Sequence, residues 1–343
     1  MSLPTAGTGG EVSRFVLPPE LEAGSPPEAR GLARDEVRLL VSFKEKDGVA
    51  HARFTDLPRF LRRGDVLVVN DSATLPAALV ARRSDETEVA LHLSTRLPAG
   101  MWVVEPRNAR VEAGETLTLP SGGSVSLLAA YPDSVRLWIA RLSLPVPLDA
   151  YLARYGRPIA YRYSGGPWPL DAYQTVFARH PGSAEMPSAG RPFSQRVLQA
   201  LEKRGVLVRP ITLHTGVASQ DSHERPYEEW YDVPVATAEA VRRTVDEGGR
   251  VIAIGTTVVR ALESAIDPSG QSIAARGWTD LVISPEHRVR VVQGLLTGFH
   301  EPEATHLHML EAIAGRAHVR RAYRAALDGK YLWHEFGDVH LIL

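Results

Sequence analysis

VIAIGTTVVRALESA, Val251 to Ala265, is the stretch whose reading decides the fold. Four apolar residues run into Gly255, Thr256 and Thr257, and Val258, Val259, Leu262 and Ala265 follow at helical spacing. The pattern predicts a strand, a tight polar turn and a helix, the unit from which α/β sheets are built. Such a junction leaves backbone N–H groups and hydroxyls at the carboxyl edge of a sheet and the positive end of a helix. Carboxylates, phosphates and ribose hydroxyls are held at such places. An ordinary turn with a Thr capping the helix would use the same residues.

Working outward, a helix from about Thr237 to Glu247 leads into this unit, and ITLHTG, Ile211 to Gly216, predicts a strand ending in His214. Before it, Phe193, Val197, Leu198 and Leu201 share one helical face, with Ser194 as N-cap and Gly205 as stop. After it, LVIS (Leu281 to Ser284), VRVVQG and LLTGFHEP read as strands, Ala304 to Ala314 and Val319 to Leu327 as helices, and GDVHLIL as a closing strand. Toward the N-terminus, Val37 to Phe43 has strand character. FTDLPRFLRRGDVLVVND reads as a short helix, a stop at Gly64 and a buried strand ending in Asn70-Asp71, a second candidate site edge. From Leu79 to Pro147 the texture changes to short runs such as TEVALHL, MWVVEP and SVSLLA between Gly- and Pro-containing turns, the signature of an antiparallel barrel. The expected fold is α/β: a discontinuous α/β domain, 14–78 and 148–343, with an antiparallel β-barrel domain inserted at 79–147 and a disordered tail at 1–13.

A length of 343 residues exceeds what one hydrophobic core organises, in keeping with two domains. Hydrophobic residues at 44% and charged ones at 23% match a soluble globular chain. No apolar run is long enough to span a bilayer, and Met1 to Ser13 lacks the features of a secretory signal, so a cytoplasmic location is expected. The absence of cysteine excludes disulfides, thiolate nucleophiles and Cys-ligated metals. Chemistry must then fall to His, carboxylates, hydroxyls or Arg. A net charge of −1 gives no global footprint for nucleic acid. Arg316, Arg320 and Arg324, at successive i, i+4 positions, form either a local basic patch or a solvated helix face.

His214 and His300 are the candidate catalytic residues, because strand ends collect function in α/β sheets. His306 and His308, at i, i+2, fall on different helix faces and read as packing rather than as metal ligands. Arg260 follows the Gly-Thr-Thr turn by one helical turn; it serves the site or pairs with Glu263. The Pro/Gly/Tyr-rich loop Arg157 to Pro169, leading into DAYQTVFA, is of the long aromatic kind that often carries function.

LPPELEA, RLLV, F-x-DLP-x-FL-x-x-GD-x-LV-x-ND, AYQTVFA-x-x-PGSA-x-x-P-x-AG, TLH-x-G, VIAIGTT-x-VRALESA, FH-x-P and FGD occur in this order. Together they resemble the S-adenosylmethionine:tRNA ribosyltransferase-isomerase family of queuosine biosynthesis over nearly the whole chain. The resemblance implies an α/β domain with an inserted barrel, no metal, S-adenosylmethionine as co-substrate and tRNA as partner. The implied product is epoxyqueuosine, formed from 7-aminomethyl-7-deazaguanosine with release of adenine and methionine. A sulfonium acidifies the neighbouring C5′ hydrogens, so the chemistry needs a base close to neutrality, a role for His214 or His300. The expected substrate-binding set is Asn70, Asp71, Tyr173, Gln174, Thr175, Gly255, Thr256, Thr257 and Arg260.

The chain departs from the family pattern at polar positions. TRVIPARL becomes SATLPAAL, replacing two arginines by Ala73 and Ala78; VAAPTAGLHF becomes AEMPSAGRPF, introducing Glu185 and Arg191-Pro192. NFHLPxSTLLMLVSAF becomes GFHEPEATHLHMLEAIAG, SYGDAM becomes EFGDVH, and the segment after TLH is shortened. Two further readings follow: an enzyme acting on a small-molecule acceptor, or an inactive nucleoside-binding protein. Glu185, Asp221, Glu224, Glu228 and Glu229 are expected in loops near the site, where they would weaken tRNA binding. A monomer is expected.

Overall fold

The computed structural model describes residues 15–343 except 47, 162, 164, 167, 219–226 and 303. The tail at 1–13, Asp221 and Glu224 lie outside the described residues. In chain order the strands are β1 (Arg38–Phe43), β2 (Gly48–Arg53), β3 (Val66–Asn70), β4 (Ser72–Thr74), β5 (Ala78–Arg82), β6 (Glu88–Arg96), β7 (Met101–Arg107), β8 (Thr116–Leu119) and β9 (Gly123–Ala130). They continue as β10 (Trp138–Ser143), β11 (His180–Ser183), β12 (Leu207–Leu213), β13 (Glu229–Val233), β14 (Val251–Ile254), β15 (Ala275–Thr279), β16 (Gly294–Gly298) and β17 (Val339–Ile342). The helices are α1 (Leu57–Phe60), α2 (Leu148–Tyr155), α3 (Gln195–Lys203), α4 (Val235–Asp246), α5 (Thr256–Ser264), α6 (His306–Ala314) and α7 (Arg316–Asp328).

VLVVN in β3 is buried along its whole length, as a strand covered on both faces must be. It lies near the centre of a nine-stranded sheet of order β15-β13-β12-β3-β14-β16-β17-β1-β2. Within it β12, β3, β14 and β16 run parallel, so their carboxyl ends share one edge. Side chains alternate across the pleat. Val66 and Val68 pack with Val241 of α4, Leu262 of α5, Leu310 of α6 and Ala322 of α7, whereas Leu67 and Val69 pack with Leu57 of α1 and Val197 and Leu201 of α3. Both faces are thereby covered.

The chain leaves this sheet after β3, forms a closed antiparallel barrel of order β10-β7-β6-β5-β8-β9, and returns to place β12 beside β3. Leu79, Leu91, Val104, Val125 and Leu127 fill the barrel core. Tyr151 of α2 packs into that core and donates to the Pro120 carbonyl at 2.6 Å. Gly123 is required there, since a Cβ would lie 2.8 Å from the Tyr151 hydroxyl.

Three expected elements differ. The runs at 281–284 and 288–293 are irregular chain rather than strands: Leu281 donates to Thr279 Oγ1 and accepts from the Arg260 guanidinium, and the Glu263 carboxylate accepts the N–H groups of Arg290, Val291 and Val292 in place of a neighbouring strand. The strand in this region is instead β15, an edge strand paired with β13. Glu229 opens β13 rather than lying in a loop.

Asp65, at the start of β3, has a fully buried side chain. It accepts from Arg62 N at 2.9 Å and Arg250 N at 3.2 Å, and pairs with the Arg250 guanidinium at 2.5 Å. Asp65→Ala strands these donors and is expected to cost about 3 kcal/mol. A urea midpoint equal to that of the wild type would contradict this.

Candidate functional site

Asn70 closes β3 and uses all of its amide. Nδ2 donates to Leu213 O at 2.8 Å and to Thr257 Oγ1 at 3.3 Å, while Oδ1 accepts from Leu213 N and Ser72 N, each at 3.0 Å. The neighbouring Asp71 accepts from Thr212 Oγ1 at 2.6 Å, and burial pushes its carboxyl above the usual range. These two residues hold the ends of β3 and β12 together beside the start of α5. At that start Gly255 takes φ 99°, where a side chain would be strained, and its N–H donates to Leu296 O at 2.8 Å. Gly255 is thus the N-cap and Thr256 the first helical residue, so the turn is not a Thr-capped one. Thr256 and Thr257 stay partly exposed at the positive end of α5.

His214 directly follows β12. Its Nδ1 lies 2.8 Å from Ser72 Oγ, its ring stacks on Trp230 at 5.3 Å, and Gly182 packs so close that a Cβ would clash with the imidazole. Burial, with the nearby His180, lowers its pKa to about 4. His300 follows β16, with Nε2 2.9 Å from Thr297 Oγ1 and its ring stacked on His306 at 4.6 Å. Burial, reinforced by the neighbouring histidines, holds it well below the ordinary value. Each candidate histidine has one nitrogen beside a hydroxyl and one without a partner among the described residues, an arrangement that orients a base. The two stand on one sheet edge three strand spacings apart, roughly 14 Å.

Arg260 does not pair with Glu263. Its guanidinium pairs with Glu229 and donates to Leu281 O at 3.0 Å and Thr279 O at 3.1 Å, while Glu229 accepts from Gly216 N at 2.9 Å. The Glu229 charge is neutralised inside the fold, and Glu228 is exposed. Gln174 brackets the Thr74 peptide, accepting from its N–H at 3.0 Å and donating to its carbonyl at 2.8 Å. Tyr173 is buried against Phe336 at 5.2 Å, and Thr175 is buried beside Gly190. These three anchor β4 and the chain around it.

Sequence reasoning placed Glu185 near the site but missed the group to which it belongs. Glu185 accepts from Tyr161 OH and from Ala218 N at 2.6 Å, and burial raises its carboxyl to about 8. Tyr163 donates to Glu335 at 2.9 Å and stacks on His334 at 3.7 Å. The signal was the aromatic loop at 157–169; its partners were not readable from it. The cleft between Pro27, Arg191, His334 and Phe336 has room for about one water, too little for a nucleoside. Among the described residues no group of three His, Asp or Glu is arranged to hold a metal ion, and no helix is long and apolar enough to cross a membrane.

A family model described as queuosine biosynthesis protein matches residues 12–342. An S-adenosylmethionine:tRNA ribosyltransferase-isomerase of Thermus thermophilus is 38% identical, covering 98% of this chain and 99% of its own; one of Thermotoga maritima is 34% identical, covering 96% and 98%. The crystal structure of the Thermotoga maritima S-adenosylmethionine tRNA ribosyltransferase superposes with a TM-score of 0.54 at 30% identity, covering 96% of this chain and 99% of that one. The match runs over nearly the whole chain and nearly the whole length of these relatives, and on these grounds the chain belongs to the S-adenosylmethionine:tRNA ribosyltransferase-isomerase family of queuosine biosynthesis.

Proposed function

We propose that this enzyme transfers and isomerises the ribosyl group of S-adenosylmethionine onto 7-aminomethyl-7-deazaguanosine in tRNA, giving epoxyqueuosine and releasing adenine and methionine. The observation that carries the reading is the row of functional groups on one sheet edge: His214, Asn70-Asp71, the Thr256-Thr257 helix start and His300 close four parallel strands. The roughly 14 Å between the histidines suits an extended nucleoside with an amino-acid tail. Thr256, Thr257 and the α5 amides offer donors to the methionine carboxylate or the ribose hydroxyls. His214 acts as the base. Burial keeps it unprotonated at pH 7 at the cost of basicity, which a cationic sulfonium nearby must offset by acidifying C5′, and Ser72 fixes the ring so that the other nitrogen is the one open to the proton. Loss of that proton activates the ribose: the aminomethyl nitrogen of the acceptor forms the new C–N bond and gives up a proton, adenine leaves from C1′ carrying one, and the C5′–S bond breaks with its electron pair going to the methionine sulfur. Asn70 and Arg260 position these groups, since their polar atoms are engaged within the protein.

The assay that tests this follows adenine and methionine release from S-adenosylmethionine. Release that requires modified tRNA is expected; release without tRNA would move the reading to a small-molecule acceptor, and none with either to a nucleoside-binding protein. His214→Ala should lower kcat on the order of a hundredfold or more with little change in Tm.

Ala73 and Ala78, standing where the family has arginine, favour the small-molecule reading. Against it, Arg316, Arg320 and Arg324 line the exposed face of α7. If these three carry the RNA, log affinity for tRNA should fall with log salt at a slope of roughly −3 or shallower. A much steeper slope would place many more phosphate contacts elsewhere on the chain.

His214 and His334 each fall from 6.5 to about 4 on folding through burial. They stay neutral in the fold while the unfolded chain takes up protons between those values, so their contribution to stability rises with pH from about 4 to 6.5. Glu185, raised from 4.5 to about 8, contributes in the opposite direction above 4.5; with two histidines against one carboxyl the net is expected to rise up to about pH 6.5. Urea midpoints at pH 5 and 6.5 check the sign.

A further inference from the structure

Four of the polar residues by which this chain departs from the family pattern are not scattered. Glu185, Glu301, His306 and Glu335 come from three separate sequence blocks, yet each engages a neighbour in one part of the site: Glu185 bonds Tyr161, Glu335 bonds Tyr163, Glu301 approaches His334 at 3.8 Å, and His306 stacks on His300. Tyr161 and Tyr163 stack on each other at 5.7 Å, so the two glutamates are held by one aromatic pair. The contacts of Glu185 fall on Oε1 and that of Glu335 on Oε2. Glu185 Oε2 has no hydrogen-bond partner among the described residues, and both residues are part-buried. Neither glutamate has an Arg, Lys or His partner among the described residues. Beside them, His334 is 5% exposed in its side chain, stacks on Tyr163 at 3.7 Å, and leaves Nε2 without a partner among the described residues.

A part-buried carboxyl without a counter-charge holds its proton until a ligand supplies a cation. The proposed substrates carry such a charge twice, as the ammonium of the methionyl tail and as the aminomethyl group of the acceptor base. We propose that Glu185 and Glu335, presented by Tyr161 and Tyr163, form a specificity-determining seat for a primary ammonium group of the substrate. The inference rests on the function proposed above and assigns a substrate group to a part of the same site.

In the empty seat the Glu185 carboxyl keeps its proton at neutral pH. Glu185 is raised to about 8 by burial, with Glu335, Glu229 and Glu105 adding to the rise. Of these, Glu229 is paired with Arg260, and Glu105 with Arg136, Arg107 and His92, which leaves Glu335 as the unneutralised neighbour. An arriving ammonium favours the ionised form, so binding at neutral pH expels a proton from Glu185. A merely structural glutamate would not do this.

Calorimetric titration at pH 7 in two buffers of different ionisation enthalpy reads both affinity and proton release. The titrants are S-adenosylmethionine, and an anticodon stem-loop carrying 7-aminomethyl-7-deazaguanosine beside one carrying guanosine. The ligand whose ammonium occupies the seat should release protons, and Glu185→Gln should abolish that release and weaken this ligand tenfold to a hundredfold, roughly, leaving the other unchanged. Glu335→Gln, whose hydrogen bond from Tyr163 can persist, should weaken the same ligand. Binding of both ligands by both variants with wild-type affinity and proton count overturns the proposal. Wild-type adenine release in the presence of tRNA alongside that result leaves the reaction standing; a wild-type chain that neither binds S-adenosylmethionine nor releases adenine overturns both.

Discussion

The site depends on one amide. Asn70 spends both hydrogens and both acceptor sites of its side chain within the fold, so its orientation is fixed and no flipped form satisfies the same partners. Through Leu213 it sets the residue before His214; through Ser72 it places the hydroxyl that meets the His214 ring; through Thr257 it ties the start of α5 to both. An aspartate could not donate to Leu213 O and Thr257 at once. The distance between His214 and the helix start is therefore set by a side chain that sequence reasoning places among the substrate contacts, and its hydrogen bonds all lie within the fold.

What was legible in the sequence follows from periodicity and burial. VIAIGTT reads correctly because four apolar residues leave no helical face and the next ten leave one, and VLVVN because a strand covered on both sides admits no polar alternation. The barrel is legible through its short alternating runs and turns. The reading fails where a single side chain replaces a neighbouring strand. VRVVQG has strand composition, but Glu263 caps its N–H groups from 27 to 29 residues away in sequence. Conversely β15, ARGWT, is a half-exposed edge strand whose residues give little apolar signal. Local spacing also suggested an Arg260–Glu263 pair, whereas the fold brings Glu229 to Arg260 from 31 residues away.

The same limit governs the site. Strand ends could be read one by one, because each is a local pattern, and the parallel order of β12, β3, β14 and β16 then aligns them. The glutamate-tyrosine group could not be read, because Tyr163 and Glu335 lie 172 residues apart. Seen along the chain, Glu185, Glu301, His306 and Glu335 look like separate losses of the family pattern. In space three of them meet one aromatic stack, Glu185 on Tyr161, Glu335 on Tyr163 and Glu301 beside His334, and His306 stacks on His300; such agreement across blocks is what distinguishes a remodelled site from a decaying one.

The inserted barrel has a part in this remodelling. Ala78, the first residue of β5, exchanges backbone hydrogen bonds of 2.8 and 2.9 Å with Arg157, so the loop that carries Tyr161 and Tyr163 begins on the barrel seam. On the other side Tyr163 stacks on His334, in the segment leading to β17 of the main sheet. The two tyrosines therefore span from barrel to sheet across the carboxyl edge, and Glu185 reaches the same span from the end of β11, with Thr215 donating to its carbonyl at 2.7 Å. Any shift of the barrel against the sheet must strain this span or break it. A fold that builds part of its substrate seat across two domains makes the seat's geometry a function of their packing, which gives the barrel a role in substrate selection without contributing a catalytic group.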